Sequence, residues 1–220
     1  MSGHQPNYLP WLGLFDKIMR SDIFIIEDNV QYEQQGLTNR NRVKIQDKAK
    51  WLTVPIEHVG RPQLINQVKI SPAEPNWTER HWRTLKHNYA TAPFWNKYSD
   101  FFKDTYSRDW TMLIDLNLHL IYGIMNFLNI KTSIVMASSL NVVGEKSELA
   151  LSKCKALGGS VQLAGSGARS YLNHARFEEE GITVVYQDFV YPIYRQLYGE
   201  YIPNLSVVDY LFCTGGAPWK

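Results

Sequence analysis

The first 28 residues decide the fold class, and they read MSGHQPNYLPWLGLFDKIMRSDIFIIED. The run Asp22–Glu27 is short, apolar and rich in β-branched residues, which is typical of a buried strand in a parallel sheet. Ahead of it, Leu12–Arg20 carries apolar residues at helical spacing, with Pro10 as a start signal. A short strand near His4 completes a β-α-β unit. The loop after the first strand then lies at the carboxyl edge of the sheet, where open α/β sheets bind ligands.

The second half of the chain repeats this alternation. The predicted strands are Thr132–Ala137, Ser160–Ala164 and Ile182–Gln187, and the predicted helices are Ser147–Leu157 and Arg169–Glu180. Strands and helices at this spacing indicate βαβ units. We therefore expect an α/β fold, with a Rossmann-like, mostly parallel sheet and helices on both faces.

The segment from about residue 50 to residue 130 breaks the alternation and predicts a helical and hairpin insertion. Two short strands, Trp51–Ile56 and Gln67–Ser71, suggest an antiparallel hairpin or excursion. A capping-box pattern, Asn76 with Glu79, begins a predicted helix that reaches about residue 89. A long apolar stripe predicts a further helix over Trp110–Phe127. With this insertion included, residues 1–220 are expected to form a single domain.

Composition excludes several protein classes. Of the 220 residues, 45% are hydrophobic and 20% are charged, which is typical of globular proteins. The 23 Lys and Arg against 21 Asp and Glu give a net charge of +2, so a dominant nucleic-acid footprint is not expected. Two cysteines suit a reducing cytosol. No membrane span or signal peptide is predicted, so we expect a cytoplasmic protein, of undetermined oligomeric state.

A polar loop follows the predicted first strand. Within His4–Gly13, two prolines fix the path of a segment that carries His, Gln, Asn, Tyr and Trp. A histidine has a pKa near working pH, so His4 is a candidate general base or phosphate contact. The alternative is an N-terminal segment that Trp11 pins by packing, with His4 in solvent.

Carboxylates follow the next strand. If the strand continues, Glu27 and Asp28 point to opposite sides, so only one of them needs to enter a cleft. Asp28 is a candidate for accepting an amine proton or binding a hard cation. A strand-end turn that uses Asp28 and Asn29 is the alternative.

The run Asn39–Lys44 alternates asparagines with cations. In a strand, Arg40, Arg42 and Lys44 share one face, where they are suited to hold a phosphate or carboxylate. The alternative is a solvated edge strand protected by charge.

A glycine-rich turn, Gly165–Tyr171, lies between a predicted strand and helix. Free N–H groups at a helix start favour an anion, and Arg169 adds a guanidinium. We expect a positive φ at Gly167, so that a β-branched residue there is harmful. An ordinary tight turn is the alternative, because no dinucleotide fingerprint or Walker loop is present.

The remaining candidate groups are expected to be structural. Asp115 and His119, four residues apart, suit a hydrogen bond within one helix, and His81 and Cys154 suit buried positions. No histidine pair has the spacing His-x-x-x-His and no Cys-x-x-Cys occurs. No metal site is therefore predicted, and the cofactor is left open.

Taken together, these motifs resemble the WbqC-like family. The resemblance rests on His4–Gly13, Asp28–Tyr32, Asn39–Arg42, Trp51–Pro55, Gly165–Leu172, Leu205–Phe212 and Gly215. Members occur in bacterial O-antigen and surface-polysaccharide gene clusters, and a glycine-transferase role has been proposed for them. They usually begin with a longer apolar strand, whereas three residues precede His4 here. In layout alone, the chain is also similar to nucleotidyltransferases and pantothenate-synthetase-like ligases, without their second loop histidine.

The resemblance implies an amide-forming transferase that joins an amino acid such as glycine to a nucleotide-linked amino sugar in O-antigen or surface-polysaccharide biosynthesis. The expected partners are these two small molecules. Apart from an aminoacyl-tRNA as a candidate amino-acid donor, no nucleic acid is expected to bind. No membrane partner is expected. His4 and Asp28 are the candidate catalytic residues. The candidate substrate-binding residues are Gln5, Asn7, Tyr8, Trp11, Asn39, Arg40, Arg42, Gly165, Ser166, Gly167, Arg169 and Tyr171. The alternatives are another acyl- or nucleotidyl-transferase or ligase, and a non-catalytic accessory protein that binds a sugar or nucleotide.

Overall fold

The computed structural model describes residues 1–58 and 60–219. Its strands are β1 (Ser2–His4), β2 (Ile23–Ile26), β3 (Arg40–Ile45), β4 (Lys48–Thr53), β5 (Ser133–Met136), β6 (Val161–Ala164) and β7 (Thr183–Tyr186). Its α-helices are α1 (Leu12–Met19), α2 (Trp77–Tyr89), α3 (Trp95–Ser107), α4 (Leu113–Phe127), α5 (Lys146–Ala156), α6 (His174–Glu179) and α7 (Val207–Thr214). Short 3₁₀ helices cover Ile65–Gln67, Ala137–Ser139 and Ser166–Ser170.

The chain divides into two compact units, and each is built from separate stretches of sequence. The first unit contains residues 1–5, 13–29 and 131–190. The second contains residues 6–12, 30–130 and the chain from residue 191 onward. The expectation of a single domain over residues 1–220, with an insertion at about 50–130, stays a prediction.

The first unit is built on a five-stranded parallel sheet in the order β5-β2-β1-β6-β7. The central strand is β1, in which Ser2 is paired with Phe24 of β2 on one side and with Leu163 of β6 on the other. Most of these strands are short apolar runs rich in β-branched residues, a composition typical of buried parallel sheets. The parallel sheet and its flanking helices confirm the predicted Rossmann-like α/β fold.

One part of the first unit's core lies between α5, β6 and α6. It includes Leu151, Cys154, Ala164, Phe177 and Ile182, all less than 9% exposed. The Cys154 thiol donates a hydrogen bond to the Gly159 carbonyl (3.3 Å), and burial raises its pKa. Cys154 is therefore the inert buried thiol that the sequence predicted.

The second unit begins with the β3–β4 hairpin. Its antiparallel register pairs Arg40 with Thr53 at one end and Ile45 with Lys48 at the other. The predicted antiparallel contact between Trp51–Ile56 and Gln67–Ser71 is present as an isolated bridge of Ile56 with Ile70, but the regular hairpin forms between β4 and the preceding strand β3. A tight turn between adjacent strands closes a short loop, which is entropically easier than the longer pairing.

Aromatic side chains fill the helical part of the second unit. The Phe212 ring of α7 lies 4.9–5.5 Å from the rings of Tyr89, Trp95 and Phe102. The fully buried Asp209 carboxylate accepts hydrogen bonds from the Tyr89 and Tyr194 hydroxyls at 2.8 and 2.7 Å. Burial raises the pKa of Asp209, and these two bonds oppose that rise. No described helix is both long and apolar enough to cross a bilayer.

Several local expectations differ from the structure. Asn76 precedes α2, but its side chain makes no capping hydrogen bond. The predicted helix over Arg169–Glu180 is instead a 3₁₀ helix followed by the six-residue α6. His119 Nε2 lies 2.9 Å from Thr105 Oγ1, so it does not form the expected bond with Asp115, which is exposed.

Candidate functional site

The strand order of the first unit creates a point where the chain changes direction across the sheet. From the central β1 the chain runs to β2 and β5 on one side, and afterwards to β6 and β7 on the other. Ligands of open α/β sheets bind beside such a point, outside the carboxyl ends of the strands. A cavity of about 90 Å³ lies here and is called the switch-point cavity. It is lined by Met1, Gly3, Lys17, Glu27, Ala150, Lys153, Gln162, Ala164, Gly165, Ala168, Tyr171 and Leu172.

Two lysines and a carboxylate dominate the electrostatics of the switch-point cavity. Lys17 is 5% exposed, and its ammonium donates a hydrogen bond to the Gly3 carbonyl at 2.8 Å. Lys153 of α5 is 4% exposed and forms an ion pair with Glu27. Burial lowers the pKa of Lys17 from 10.5 to about 8, and the charge of Glu27 opposes that change. Since Glu27 pairs with Lys153, the Lys17 ammonium leaves these three side chains with a net positive charge, which is suited to hold a negative charge on a ligand.

The cavity also contains an amide oxygen without a partner. Gln162 of β6 is 8% exposed, and its buried Oε1 has no hydrogen-bond partner in the structure. A buried acceptor in this state costs about 1–3 kcal/mol, which a donor on a ligand would recover.

The position of the Glu27 carboxylate depends on a glycine in β1. A Cβ added to Gly3 would lie 2.8 Å from Glu27 Oε1 and 3.3 Å from Ile25 Cβ. Gly3 therefore allows the Glu27 carboxylate to approach the strand backbone closely.

His4 follows Gly3 on β1 and is partly buried. Its Nδ1 lies 2.8 Å from the Gln5 carbonyl oxygen, which can only accept, so Nδ1 carries the proton and Nε2 is left with its lone pair. Burial, followed by the nearby Lys17 charge, lowers the pKa of His4 from 6.5 to about 4, and the bond to Gln5 opposes this change. The expectation of a pKa near working pH is therefore wrong, and His4 is neutral at pH 7.

Two other predicted residues of the first unit lie on the cavity wall, whereas His4, Gln5 and Asp28 are not among its lining residues. Gly165 and Tyr171 line it, while Gln5 and Asp28 directly follow His4 and Glu27. Asp28 is 2% exposed and accepts a hydrogen bond from the Ser138 backbone N–H at 2.9 Å, which ties the end of β2 to the end of β5. This contact favours a positioning role for Asp28.

The glycine-rich turn differs from its prediction. Ser166, Gly167 and Arg169 are exposed members of a 3₁₀ helix of five residues, too short for a helix-start anion site of the expected kind. Gly167 does not have the expected positive φ, and a Cβ added there would meet nothing within 4 Å. The Arg169 guanidinium lies 4.0 Å from the Tyr186 ring centroid. An anion contact by Arg169 stays a prediction.

The remaining predicted residues belong to the second unit, and several have buried partners there. Tyr8 is fully buried, with its hydroxyl 2.7 Å from His81 Nδ1 and 2.5 Å from the Tyr106 hydroxyl. Asn39 donates to the Val54 carbonyl at 2.9 Å. These contacts favour core roles, and they confirm His81 as a satisfied buried histidine. Trp11 forms an antiparallel bridge with Ser206, and Asn7 is 2% exposed with an unpartnered Oδ1.

The cations of β3 are held by the protein itself. Arg40 and Arg42 lie 4.5 and 5.7 Å from the Trp51 ring centroid and donate to the carbonyls of Gln35 and Asn204. Lys44 is 1% exposed and donates to Gln196 Oε1 at 3.0 Å. Whether His4 and Asp28 share a cleft with these second-unit residues stays a prediction.

Of the lining residues of the switch-point cavity, only Gly165 and Tyr171 were predicted as site residues. The missed residues include all four with a charged or amide side chain: Lys17, Glu27, Lys153 and Gln162. A signal did exist for the lysines. Lys17 lies between apolar positions on the helix that contains Leu14 and Ile18, and Lys153 precedes the buried Cys154. A cation on the apolar side of a helix needs a partner, and that need indicates a site.

In residues 1–58 and 60–219, no group of three or more His, Cys, Asp or Glu side chains is arranged to hold a metal ion. Both cysteines in this part of the chain are free thiols.

Comparison with known proteins identifies the family of this chain. The model of the WbqC-like protein family matches residues 5–219. The chain belongs to the WbqC-like protein family. One relative is the "Uncharacterized protein Rv1507c" of Mycobacterium tuberculosis, which is 34% identical over 214 residues, or 96% of this chain and 92% of the relative. No solved structure matches the chain. The family match includes the β1 loop, both lysines and the glycine-rich turn.

Proposed function

We propose that this member of the WbqC-like family is an amide-forming aminoacyl transferase. It would join a small amino acid, glycine, to the amino group of a nucleotide-linked sugar used in surface-polysaccharide biosynthesis. The switch-point cavity carries the proposal, because a small volume is lined by two lysines, a carboxylate and an unpartnered amide oxygen. The cavity is assigned to the amino-acid part of the donor.

The size of the cavity supports a small amino acid. Pockets for drug-sized ligands measure roughly 300–1,000 Å³, whereas this cavity measures about 90 Å³. Since a water molecule occupies about 30 Å³ of liquid, the cavity suits a ligand of a few heavy atoms. Glycine fits that description, and a nucleotide sugar does not.

The charges support an amino acid in one orientation. Glu27 and the Gln162 amide oxygen are acceptors, which suit the α-ammonium group of glycine. Lys17 and Lys153 are donors, which suit the carbonyl oxygen of the same molecule. A larger side chain on the α-carbon would meet the apolar wall formed by Ala150 and Ala164.

The chemistry follows from these assignments. The donor is an activated amino-acid ester or thioester, and the acceptor's amine nitrogen attacks its carbonyl carbon. A C–N bond forms, the bond to the activating group breaks with its electron pair, and the amine releases one proton. Neutral His4 accepts this proton at Nε2, while the lysine ammonium groups stabilise the oxyanion of the tetrahedral intermediate.

Glycine binding by the intact protein, measured by calorimetry, tests the assignment. Lys17→Met and Lys153→Met should each weaken binding by about tenfold or more, because each removes a charge-assisted hydrogen bond. Lys155→Met is the matched control on α5, because Lys155 is half exposed and pairs with Glu180. Valine should bind poorly. Equal affinity for glycine and valine, or equal effects of all three substitutions, would contradict the assignment.

Turnover is tested separately, by mass spectrometry. The protein is incubated with a glycyl thioester or ester and a nucleotide-linked amino sugar, and the amide product is sought. His4→Gln should lower the rate at least tenfold while glycine affinity is kept. Glycine binding without product from any donor class would instead support the non-catalytic binding protein.

A further inference from the structure

We propose that the second unit carries a binding site for a nucleoside diphosphate, in a groove between α2 and the β3–β4 hairpin. The groove, called the basic groove here, measures about 520 Å³. Its basic lining residues are Lys50 from the hairpin and Arg80, Arg83 and His87 from α2. Neither the sequence motifs nor the family match pointed to these residues.

The spacing of the cations follows from the helix. Positions 80, 83, 84 and 87 lie on one face of α2, because residues three and four apart are neighbours. Thr84 also lines the groove, and its hydroxyl donates a hydrogen bond to the Arg80 carbonyl at 2.8 Å. The two guanidinium groups and the His87 imidazole of α2 therefore share one strip of surface, across the groove from Lys50.

The protein neutralises the charge of the basic groove only in part. None of its lining residues is a carboxylate. Arg80 pairs with Glu74 at 2.8 Å, while in the described part of the chain Lys50 and Arg83 form no ion pair. Like charges gathered on one surface repel one another, so an anion between them is favoured. A diphosphate supplies charge at two points, which suits guanidinium groups on adjacent turns.

An aromatic side chain lies beside the cations. A second cavity of about 300 Å³ shares Lys50, Arg80 and Thr84 with the basic groove and is also lined by Trp51. Trp51 is 43% exposed, and the guanidinium of Arg40 lies 4.5 Å from its ring centroid. A half-exposed indole that is held in place by such a contact suits stacking with a nucleobase.

The size and charge favour a mononucleotide over a nucleic-acid strand. Both cavities fall in the range typical of small-molecule sites. The net charge of the whole chain is only +2, whereas nucleic-acid binding requires cations along a longer path. If the proposed function holds, the bound nucleotide is the carrier of the amino sugar. Nucleotide binding in the basic groove does not itself depend on that function.

Binding of UDP, ADP and GDP to the intact protein, measured by calorimetry at low salt, tests the site. At least one of them should bind with a Kd below about 1 mM, and pyrophosphate should compete with it. Arg83→Ala and Lys50→Ala should each weaken that binding about tenfold, without changing the melting temperature. Lys86→Ala is the matched control, because Lys86 is an exposed cation of α2 that does not line the groove.

A second comparison separates the phosphates from the base. Trp51→Leu should weaken nucleotide binding about tenfold and leave pyrophosphate binding unchanged. Its melting temperature is recorded, because Trp51 also contacts Arg40 and Arg42.

Three results would overturn the proposal. These are no binding of the three nucleotides, equal losses in Arg83→Ala and Lys86→Ala, or binding of a single-stranded oligonucleotide without binding of mononucleotides. Because glycine affinity is measured independently, a failure to bind nucleotides does not affect the assignment of glycine to the switch-point cavity. Conversely, nucleotide binding that persists when glycine fails to bind would support this site and contradict the proposed function.

Discussion

At the scale of single residues, burial controls protonation in this molecule. The buried His81 contacts the Tyr8 hydroxyl, while Arg80 and Lys50 add positive charge nearby. Burial, followed by these two charges, lowers the pKa of His81 from 6.5 to about 3. The imidazole is therefore neutral in the folded protein at every pH where the protein is expected to work.

This shift predicts acid sensitivity. Because the folded pKa lies below the unfolded value, His81 contributes stability that is complete above pH 6.5 and is lost as the pH falls towards 3. The loss should reach about 3 kcal/mol by pH 4. His81→Gln should reduce this loss in urea denaturation measured from pH 7 to pH 4. His87→Gln, an exposed change on the same helix, should not. Parallel curves for the two variants would show that His81 is not responsible.

A pair of glycines gives a second residue-scale prediction. Gly3→Ala places a methyl group 2.8 Å from Glu27 Oε1 and should lower glycine affinity at least about tenfold, because that carboxylate must move. Gly167→Ala meets nothing within 4 Å, and should leave affinity unchanged while raising stability by about 0.4–1 kcal/mol. Calorimetry and thermal melts measure both effects. A loss of glycine affinity in Gly167→Ala would instead indicate that the glycine-rich turn contacts the ligand.

At the scale of elements, α3 and α4 pack through a glycine. A Cβ added to Gly123 of α4 would lie 2.1 Å from Phe101 Cζ of α3, far inside contact distance. Glycine in a helix interior costs about 1 kcal/mol relative to alanine. Close approach of an aromatic ring explains why it is tolerated here.

Gly123→Ala should therefore destabilise the protein despite its better helix propensity. The expected loss is about 1–3 kcal/mol, the usual cost of overpacking. Phe101→Leu should weaken the effect, so that the double variant is more stable than the sum of the single changes predicts. A double-mutant cycle in urea measures this coupling, and additive changes would rule out the contact as the cause.

The elements also show what sequence patterns can predict. The β-α-β start and the alternation after residue 130 were predictable because short apolar runs and spaced stripes are local signals. Helix α3 was missed because its buried side is formed by Tyr98, Phe102, Thr105 and Tyr106, which give no aliphatic stripe. Helix α7 was missed although Ser206 and Gly215 cap it.

The site was only partly predictable for a related reason. The loop after β1 and the turn after β6 were predicted as site segments because sheet topology places both at one edge. Gly165 and Tyr171 of the turn line the switch-point cavity, whereas none of residues 5–13 is among its lining residues. Lys17 and Lys153 come from helices, and their ends approach Gly3 and Glu27 only after tertiary packing. Arg40 and Arg42 had the expected spacing, but sequence gave no sign that Trp51 would hold them.

At the scale of the whole molecule, neither compact unit is a continuous segment. A cut after residue 130 separates β1 and β2 from β5, β6 and β7, although these five strands form one sheet. We expect fragment 1–130 and fragment 131–220 to lack a cooperative thermal transition when each is expressed alone. Circular dichroism melts measure this, with the intact chain as control. A sharp transition in fragment 131–220 would show that its strands need no partner from the first half.

The central position of β1 has a consequence for synthesis on the ribosome. Ser2 of β1 is translated 161 positions before its partner Leu163 of β6. At a translation rate of about 5–20 residues per second, about 8–30 s pass between the synthesis of β1 and the synthesis of β6, which pairs with one of its edges. During that interval the nascent chain exposes an unpaired strand edge, of the kind that chaperones shield. A translation pause that lengthens the wait should increase misfolding more than a pause placed after β6 has been made.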